Sequence, residues 1–284
     1  MIPRAFEQDI RALLGGEAEA FLAAMREEPM RGIRLTPGKA SPLPAGTGEA
    51  VPWFPGMYYL SADSDAGKSP LQEAGAYYLQ EPSAAAPPAV RCPRPGERVL
   101  DLCAAPGGKT THIGALMENT GRVTACDIYP HKLKLIAENA ARLKLENIKT
   151  ELQDGCVFRE EWEAAFDRVL VDAPCSGLGV LRRRAEARWT KTEAGLRDFP
   201  ALQQKILDNA SRYVKPGGVL VYSTCTIEDR ENRILIETFL QNHREWKQTG
   251  FAHPRTKKTV KELQLYPQRD GVDGFYLTVL QKDK

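Results

Sequence analysis

The stretch Arg98–Thr110, RVLDLCAAPGGKT, decides how the rest of the chain is read. It opens as a short apolar run, Val99, Leu100 and Leu102, that carries an acid at Asp101. It breaks at Ala105-Pro106-Gly107-Gly108 and resumes with residues able to start a helix. A buried strand entering a glycine turn and then a helix makes a site for a small polar ligand. The N–H groups of the first helical turn lack partners, and the glycines admit close approach. Three ligand classes use such a turn. The dinucleotide pattern G-x-G-x-x-G is absent. A phosphate-cradling loop matches Gly108-Lys109-Thr110, but Cys103 stands where its first glycine belongs. S-adenosylmethionine-dependent methyltransferases end their first strand in an acid and a small-residue loop. Asp101 suits that class, because a carboxylate there accepts from the ligand's amino group. An ordinary strand–helix turn is the plain alternative.

Bulk properties narrow the rest. The 284 residues suffice for one large or two small domains, and 42% hydrophobic with 27% charged residues is ordinary soluble-protein composition. With a net charge of +2, any nucleic-acid binding must come from local patches. No apolar run approaches the ~20 residues that span a membrane, and the N-terminus lacks the apolar stretch of a signal peptide. A cytoplasmic monomer is expected. The six cysteines form no C-x-x-C pair, so no metal site is expected. Cys103, Cys126, Cys175 and Cys225 lie in or just after apolar runs, as reduced core thiols do.

Residues 1–80 read as a small accessory α+β region, with helical spacing from Pro3 to Met25 and strands at 31–37 and 57–60. Residues 38–56 read as loop. Beyond residue 80 the pattern becomes regular. Strand-like runs at 98–103, 122–128, 148–153, 166–172 and 218–225 alternate with helical patterns at 108–118, 130–143, 200–213 and 228–241. This alternation predicts an α/β domain over 81–284, a mainly parallel sheet with helices on both faces and ligands at the carboxyl ends of the strands. A last run, Phe275 to Gln281, is expected to close the sheet as an antiparallel edge.

Several chemistry-bearing residues fall at those strand ends. Asp127, closing the second strand, can take both hydroxyls of an adenosine ribose, and Asp154 can meet the adenine amino group. The alternative is that each merely caps the turn after it. Val171-Asp172-Ala173-Pro174-Cys175 and Ser223-Thr224-Cys225 put an acid and two thiols on neighbouring strand ends. Carbon 5 of cytosine is a poor nucleophile toward a sulfonium methyl group. A thiolate adding to carbon 6 makes it enamine-like, and an acid at N3 stabilises the adduct, once the base has left its stack. Cys225 and Asp172 satisfy that requirement.

DLCAAPGGKT, DAPCSGLG with the basic stretch after it, YSTCT followed by Glu231-Asn232, and the terminal DGFY resemble the Sun-family RNA (cytosine-C5) methyltransferases. RGIRLTP and QEPSAAAP resemble upstream segments of the RsmF-like bacterial ribosomal RNA enzymes of that family. The resemblance implies a Rossmann-like S-adenosylmethionine-dependent methyltransferase fold, a mainly parallel seven-stranded sheet with a small N-terminal α+β region. It implies that Cys103, Ala104, Ala105, Pro106, Gly107, Gly108 and Lys109, with Asp127, Asp154 and Asp172, contact S-adenosyl-L-methionine or line its pocket. Cys225 would attack carbon 6 and Cys175 would assist release of the methylated product. Asp172 would address the N3 edge, and Lys109 would hold the active-site loops. Residues 1–80 would position RNA. Thr226, Asp229 and Tyr276 depart from the family pattern, either conservatively or outside the chemistry. The longer relatives' C-terminal extension and NusB-like N-terminal domain are expected to be absent.

Arg182, Arg183, Arg184 and Arg188, with Trp189, follow the Asp-Ala-Pro-Cys turn, and arginines beside an aromatic suit single-stranded RNA. Arg31 and Arg34 are expected to extend that surface, whereas Arg255, Lys257, Lys258 and Lys261 read as a solvated loop. Ribosomal RNA is the favoured substrate and transfer RNA the alternative. An NTP-dependent enzyme using Gly108-Lys109-Thr110 and an idle RNA-binding scaffold complete the competing readings. The missing glycine argues against the first, and intact Asp172, Cys175 and Cys225 against the second.

Overall fold

The computed structural model describes residues 4–39, 41–90, 93–184, 193–253 and 255–284. Two helices, α1 (Arg4–Leu14) and α2 (Ala18–Ala24), come first. Their buried Ile10, Phe21, Leu22 and Met25 pack with Leu181 and Ile227 from the second half of the chain. A small antiparallel sheet follows, ordered β2 (Thr47–Ala50), β3 (Met57–Leu60), β1 (Arg31–Leu35), β4 (Tyr77–Leu79). β2 falls in the stretch read as loop. It is short, glycine-containing and mostly exposed, so it carries no apolar alternation to betray it. The short helices α3 (Pro70–Glu73) and α4 (Ala86–Val90) lead to the main sheet.

That sheet contains five parallel strands: β5 (Arg98–Asp101), β6 (Arg122–Asp127), β7 (Ile148–Leu152), β8 (Phe166–Asp172) and β9 (Val214–Thr224). Side chains alternate across it. Val169, Val171, Leu220 and Tyr222 join one core; Leu170 and Val221 join the other. Burial of both faces explains the near-continuous apolar runs. α5 (Gly108–Leu116) and α6 (Pro130–Leu143) cover the second face. α7 (Glu193–Tyr213) and α8 (Arg233–Asn242) cover the first. α7 begins seven residues before the sequence-based start because the helix continues through Pro200.

β14 (Phe275–Lys282) pairs antiparallel with β9 as expected, but it is not the edge. β10 (Trp246–Gln248) and β13 (Glu262–Leu265) pair with it on its far side, making eight strands in all, seven of them in one continuous order. The small two-stranded pair β11 (Phe251–Ala252) and β12 (Thr259–Val260) lies between β10 and β13 in the chain. β10 and β13 are three and four residues long and mix charged with apolar side chains, too little pattern to read. Among the described residues no helix is long and apolar enough to cross a membrane.

Candidate active site

The glycine turn is built as its sequence suggests. Gly107 caps α5 at φ +101°, and a Cβ there would stand 3.2 Å from the Ile136 backbone. Thr110 Oγ1 donates to Asp101 Oδ2 at 2.7 Å, tying the helix to the end of β5. Asp101 is fully buried, and its Oδ1 has no hydrogen-bond partner. Burial, reinforced by Asp172, pushes its carboxyl up to about 7 despite the Thr110 hydrogen bond. A cavity of about 200 Å³ opens here, lined by Asp101, Cys103, Ala104, Ala105, Pro106, Gly108, Lys109 and Asp172. The orphaned Asp101 oxygen fits the cationic amino group of the S-adenosylmethionine expected from the motif.

The opposite wall comes from β4 and the segment that follows it: Tyr78, Leu79, Gln80, Glu81 and Ala84. Arg34 fastens it. Its guanidinium, 2% exposed, donates to Gln80 Oε1 and Thr111 Oγ1, both at 3.0 Å. Arg34 therefore offers no RNA surface. Arg31 is likewise turned toward the carbonyls of Ala62 and Ser64. The N-terminal sheet completes the pocket. RGIRLTP and QEPSAAAP marked this region in the sequence solely by resemblance, and neither pointed to the pocket.

Asp127 and Asp154 stand at their expected strand ends, but neither lines the cavity. Each accepts, through Oδ1, the backbone N–H two residues on: Tyr129 at 3.0 Å and Cys156 at 2.8 Å. One oxygen of each is thus engaged in its turn.

Asp172, Lys109 and the two cysteines come together. Lys109 Nζ donates to Asp172 Oδ2 at 2.8 Å, and Ser223 Oγ donates to Asp172 Oδ1 at 2.8 Å. Burial works against the Lys109 ammonium, but the Asp172 carboxylate outweighs it and holds the lysine above its ordinary value. The Cys175 and Cys225 sulfurs lie 3.4 Å apart, both half-buried. Cys175 is the weaker acid of the two. Its hydrogen bond to Cys225 lowers the Cys225 thiol, and the Lys109 and Arg184 cations add to that, against burial and Asp172. Cys175, facing Cys225 and the Glu231 carboxylate, is pushed well up. Cys225 is the more acidic thiol of the pair.

Five hydrogen bonds strap the thiol-bearing loops. Ser176 Oγ and Thr226 Oγ1 are hydrogen-bonded at 2.7 Å. Buried Glu231 accepts the Ser176 N–H at 2.9 Å, and Asn232 Nδ2 donates to the Thr226 carbonyl at 3.1 Å. Gly179 donates to the Cys225 carbonyl at 3.1 Å, while Gly274 of the DGFY motif donates to the Gly179 carbonyl at 2.9 Å. A Cβ on Gly274 would lie 2.8 Å from Gly179 Cα, so these backbones meet only as glycines. Neither Glu231 nor Asp273 was singled out as a site residue by sequence. Asp273 corrects the reading of the arginine cluster. It is buried and pairs with Arg182 and Arg183, leaving the Arg182 side chain 3% exposed. A buried carboxylate requires such a partner, so Arg182 is structural and Arg183 is largely committed. Arg184 is exposed. Arg188 and Trp189 lie outside the described residues.

Residues 89–281 match the family model of the 16S rRNA methyltransferase RsmB/F, and residues 2–82 match the N-terminal domain of 16S rRNA methyltransferase RsmF. A probable ribosomal RNA small subunit methyltransferase B from Bacillus subtilis (strain 168) is 42% identical over 197 residues, 67% of this chain and 44% of that one. The tRNA (cytosine(49)-C(5))-methyltransferase of Pyrococcus abyssi (strain GE5 / Orsay) is 32% identical over 83% of this chain and 80% of its own. Among solved structures, PH0851 superposes with a TM-score of 0.91 at 30% identity, over 99% of this chain and 66% of that one. The chain spans 44% to 63% of the length of several of the curated relatives it matches. A parallel sheet with its glycine turn, an acid–lysine pair and two adjoining thiols at one edge, and family models matched on both parts of the chain, agree: the chain belongs to the RsmB/F family of 16S rRNA methyltransferases.

Proposed function

We propose that the protein is a cytoplasmic, monomeric S-adenosylmethionine-dependent RNA methyltransferase that forms 5-methylcytosine in ribosomal RNA through a Cys225–C6 covalent intermediate. The observation that carries this reading is the 3.4 Å pair of thiols at the same sheet edge as the Lys109–Asp172 pair, which itself lines the cavity. S-adenosylmethionine, when bound, supplies an electrophilic methyl group. Asp101 and the 103–109 loop hold it, with Asp127 and Asp154 at the nucleoside end. Cys225, the more acidic thiol of the pair, adds as its thiolate to carbon 6 of a cytosine turned out of its stack. The Lys109–Asp172 pair meets the N3 edge, with the ammonium as the proton supply for charge that develops there. Cys175 assists release of the methylated product, in which the carbon-5 proton leaves, the C5=C6 double bond re-forms and the C6–sulfur bond breaks with its electron pair returning to Cys225. Arg184, with Arg188 by its place in the sequence, takes RNA phosphates. Residues 1–80 close the cofactor pocket and position RNA; residues 81–284 carry the chemistry.

The test is methyl transfer onto in vitro transcribed 16S rRNA, with the methylated cytosines mapped. Cys225→Ala is expected to lower turnover by about a thousandfold or more while cofactor binding persists. Cys175→Ala is expected to accumulate an RNA–protein adduct on a denaturing gel. Full activity of Cys225→Ala overturns the nucleophile assignment, and absence of the adduct overturns the release role. A transfer-RNA substrate is the second reading. It is favoured by the greater share of the Pyrococcus abyssi relative that the chain spans. Exclusive methylation of a pooled tRNA transcript would establish it.

A further inference from the structure

The Cys175 and Cys225 sulfurs, 3.4 Å apart, are in contact, and both residues are half-buried rather than sealed in the core. Among the described residues no other two cysteines touch. Their backbones stay close past the strand ends. Asp172 and Ser223, just upstream of the two thiols, are register partners on β8 and β9. Ser176 and Thr226, just downstream, are hydrogen-bonded through their side chains, and Gly179 donates to the Cys225 carbonyl. A disulfide needs sulfurs about 2.0 Å apart on backbones that run side by side, and side-chain rotation from 3.4 Å covers the remaining ~1.4 Å. The thiols also differ as an oxidation requires. The Cys175 hydrogen bond, with Lys109 and Arg184, lowers Cys225 against burial and Asp172, whereas burial raises Cys103, Cys126 and Cys156. An oxidant that selects thiolates meets Cys225 first, with a second sulfur already at contact distance. Neither sulfur lines the cavity that fits the cofactor.

Resting, for its effect on turnover, on the cysteine chemistry proposed above, we infer that Cys175 and Cys225 are also a reversible oxidation site: a hydroperoxide joins them in a disulfide that stops methyl transfer and leaves the cofactor pocket open. The Cys225 sulfur, as thiolate, attacks one oxygen of hydrogen peroxide. The O–O bond breaks, the other oxygen leaves as hydroxide and takes up the proton the thiol has lost, and Cys225 becomes a sulfenic acid. The Cys175 sulfur then attacks the Cys225 sulfur. The S–S bond forms as the S–O bond breaks, and the Cys175 proton departs with that hydroxyl as a second water. The two sulfurs together lose two electrons, and the peroxide gains them. A dithiol reductant reverses the step through a mixed disulfide and is itself oxidised to a cyclic disulfide. Because the second sulfur is in contact, it captures the sulfenic acid before further oxidation to the sulfinic acid.

The full chain is treated with a few equivalents of hydrogen peroxide, its remaining thiols are blocked with N-ethylmaleimide, and its peptides are mapped by mass spectrometry. The expected product is a Cys175–Cys225 linked peptide pair, lighter by two hydrogens than the two free peptides. Methyl transfer to transcribed 16S rRNA and to a pooled tRNA transcript should fall about a hundredfold. Calorimetric affinity for S-adenosylmethionine should stay unchanged, and dithiothreitol should restore turnover. In Cys175→Ser the same dose should carry Cys225 on to a sulfinic acid that dithiothreitol does not repair. A wild-type Cys225 that ends as sulfinic acid, or that links to another cysteine, overturns the inference. So does a mapped Cys175–Cys225 disulfide with methyl transfer undiminished. Failure of the underlying reading looks different: the disulfide forms in the wild type, yet Cys225→Ala methylates RNA, or the reduced wild type methylates neither RNA.

Discussion

Cys103 and Cys126 stand at the carboxyl side of β5 and β6; Cys175 and Cys225 stand at the carboxyl side of β8 and β9. In sequence the four look alike, small thiols in or just past apolar strands. Their surroundings are opposite. Burial pushes the Cys103 and Cys126 thiols up, and Asp101 and Asp127 push them further. Cys225 instead has a thiol donor beside it, with Lys109 and Arg184 as cations, and its value falls. Strand-end position supplies access to the crevice, while neighbouring charge decides which sulfur can act as a nucleophile.

The largest expected effect that tests this contrast is removal of the cation. Lys109→Met should raise the Cys225 thiol, move the pH midpoint of its alkylation by iodoacetamide upward, and cut methyl transfer by about tenfold to a hundredfold. An unmoved midpoint breaks the electrostatic account. An intermediate effect comes from the acid that presses on Cys103. Asp101 titrates at about 7 in the free protein, and a cationic amino group favours its ionised form. Cofactor affinity should therefore be full above that pH and weaken as pH falls through it, by up to about tenfold per unit. Calorimetric titration across that range checks it, and in Asp101→Asn the dependence should disappear. The smallest effect belongs to the inert thiol. Cys126→Ala should leave turnover unchanged and cost about 1 kcal/mol of stability by thermal unfolding. A large loss of activity there would erase the distinction between the two pairs.

The same contrast marks what the sequence could disclose. The parallel strands were legible because burial on both faces writes long apolar runs, and the glycine turn because its residues are local to one another. Asp172, Cys175 and Cys225 were legible as neighbours because adjacent parallel strands end at one edge. The N-terminal wall of the cavity was hidden, since Tyr78 and Gln80 meet Gly108 only through tertiary packing. The fate of Arg182 was hidden for the same reason, because its partner Asp273 belongs to a distant motif. An arginine run reads alike whether it faces phosphate or a buried carboxylate. β10 and β13 were too short to carry a period.

The meeting of Gly179 and Gly274 has a mechanical meaning. The loop with Cys175, the carbonyl of Cys225 and the start of β14 are joined in one line of backbone hydrogen bonds. The gap between the two sulfurs is therefore gauged from a stretch about a hundred residues downstream of the first thiol, and any side chain inserted at that crossing would pry the sulfurs' supports apart. The spacing of the two thiols thus depends on two residues that have no side chain to offer.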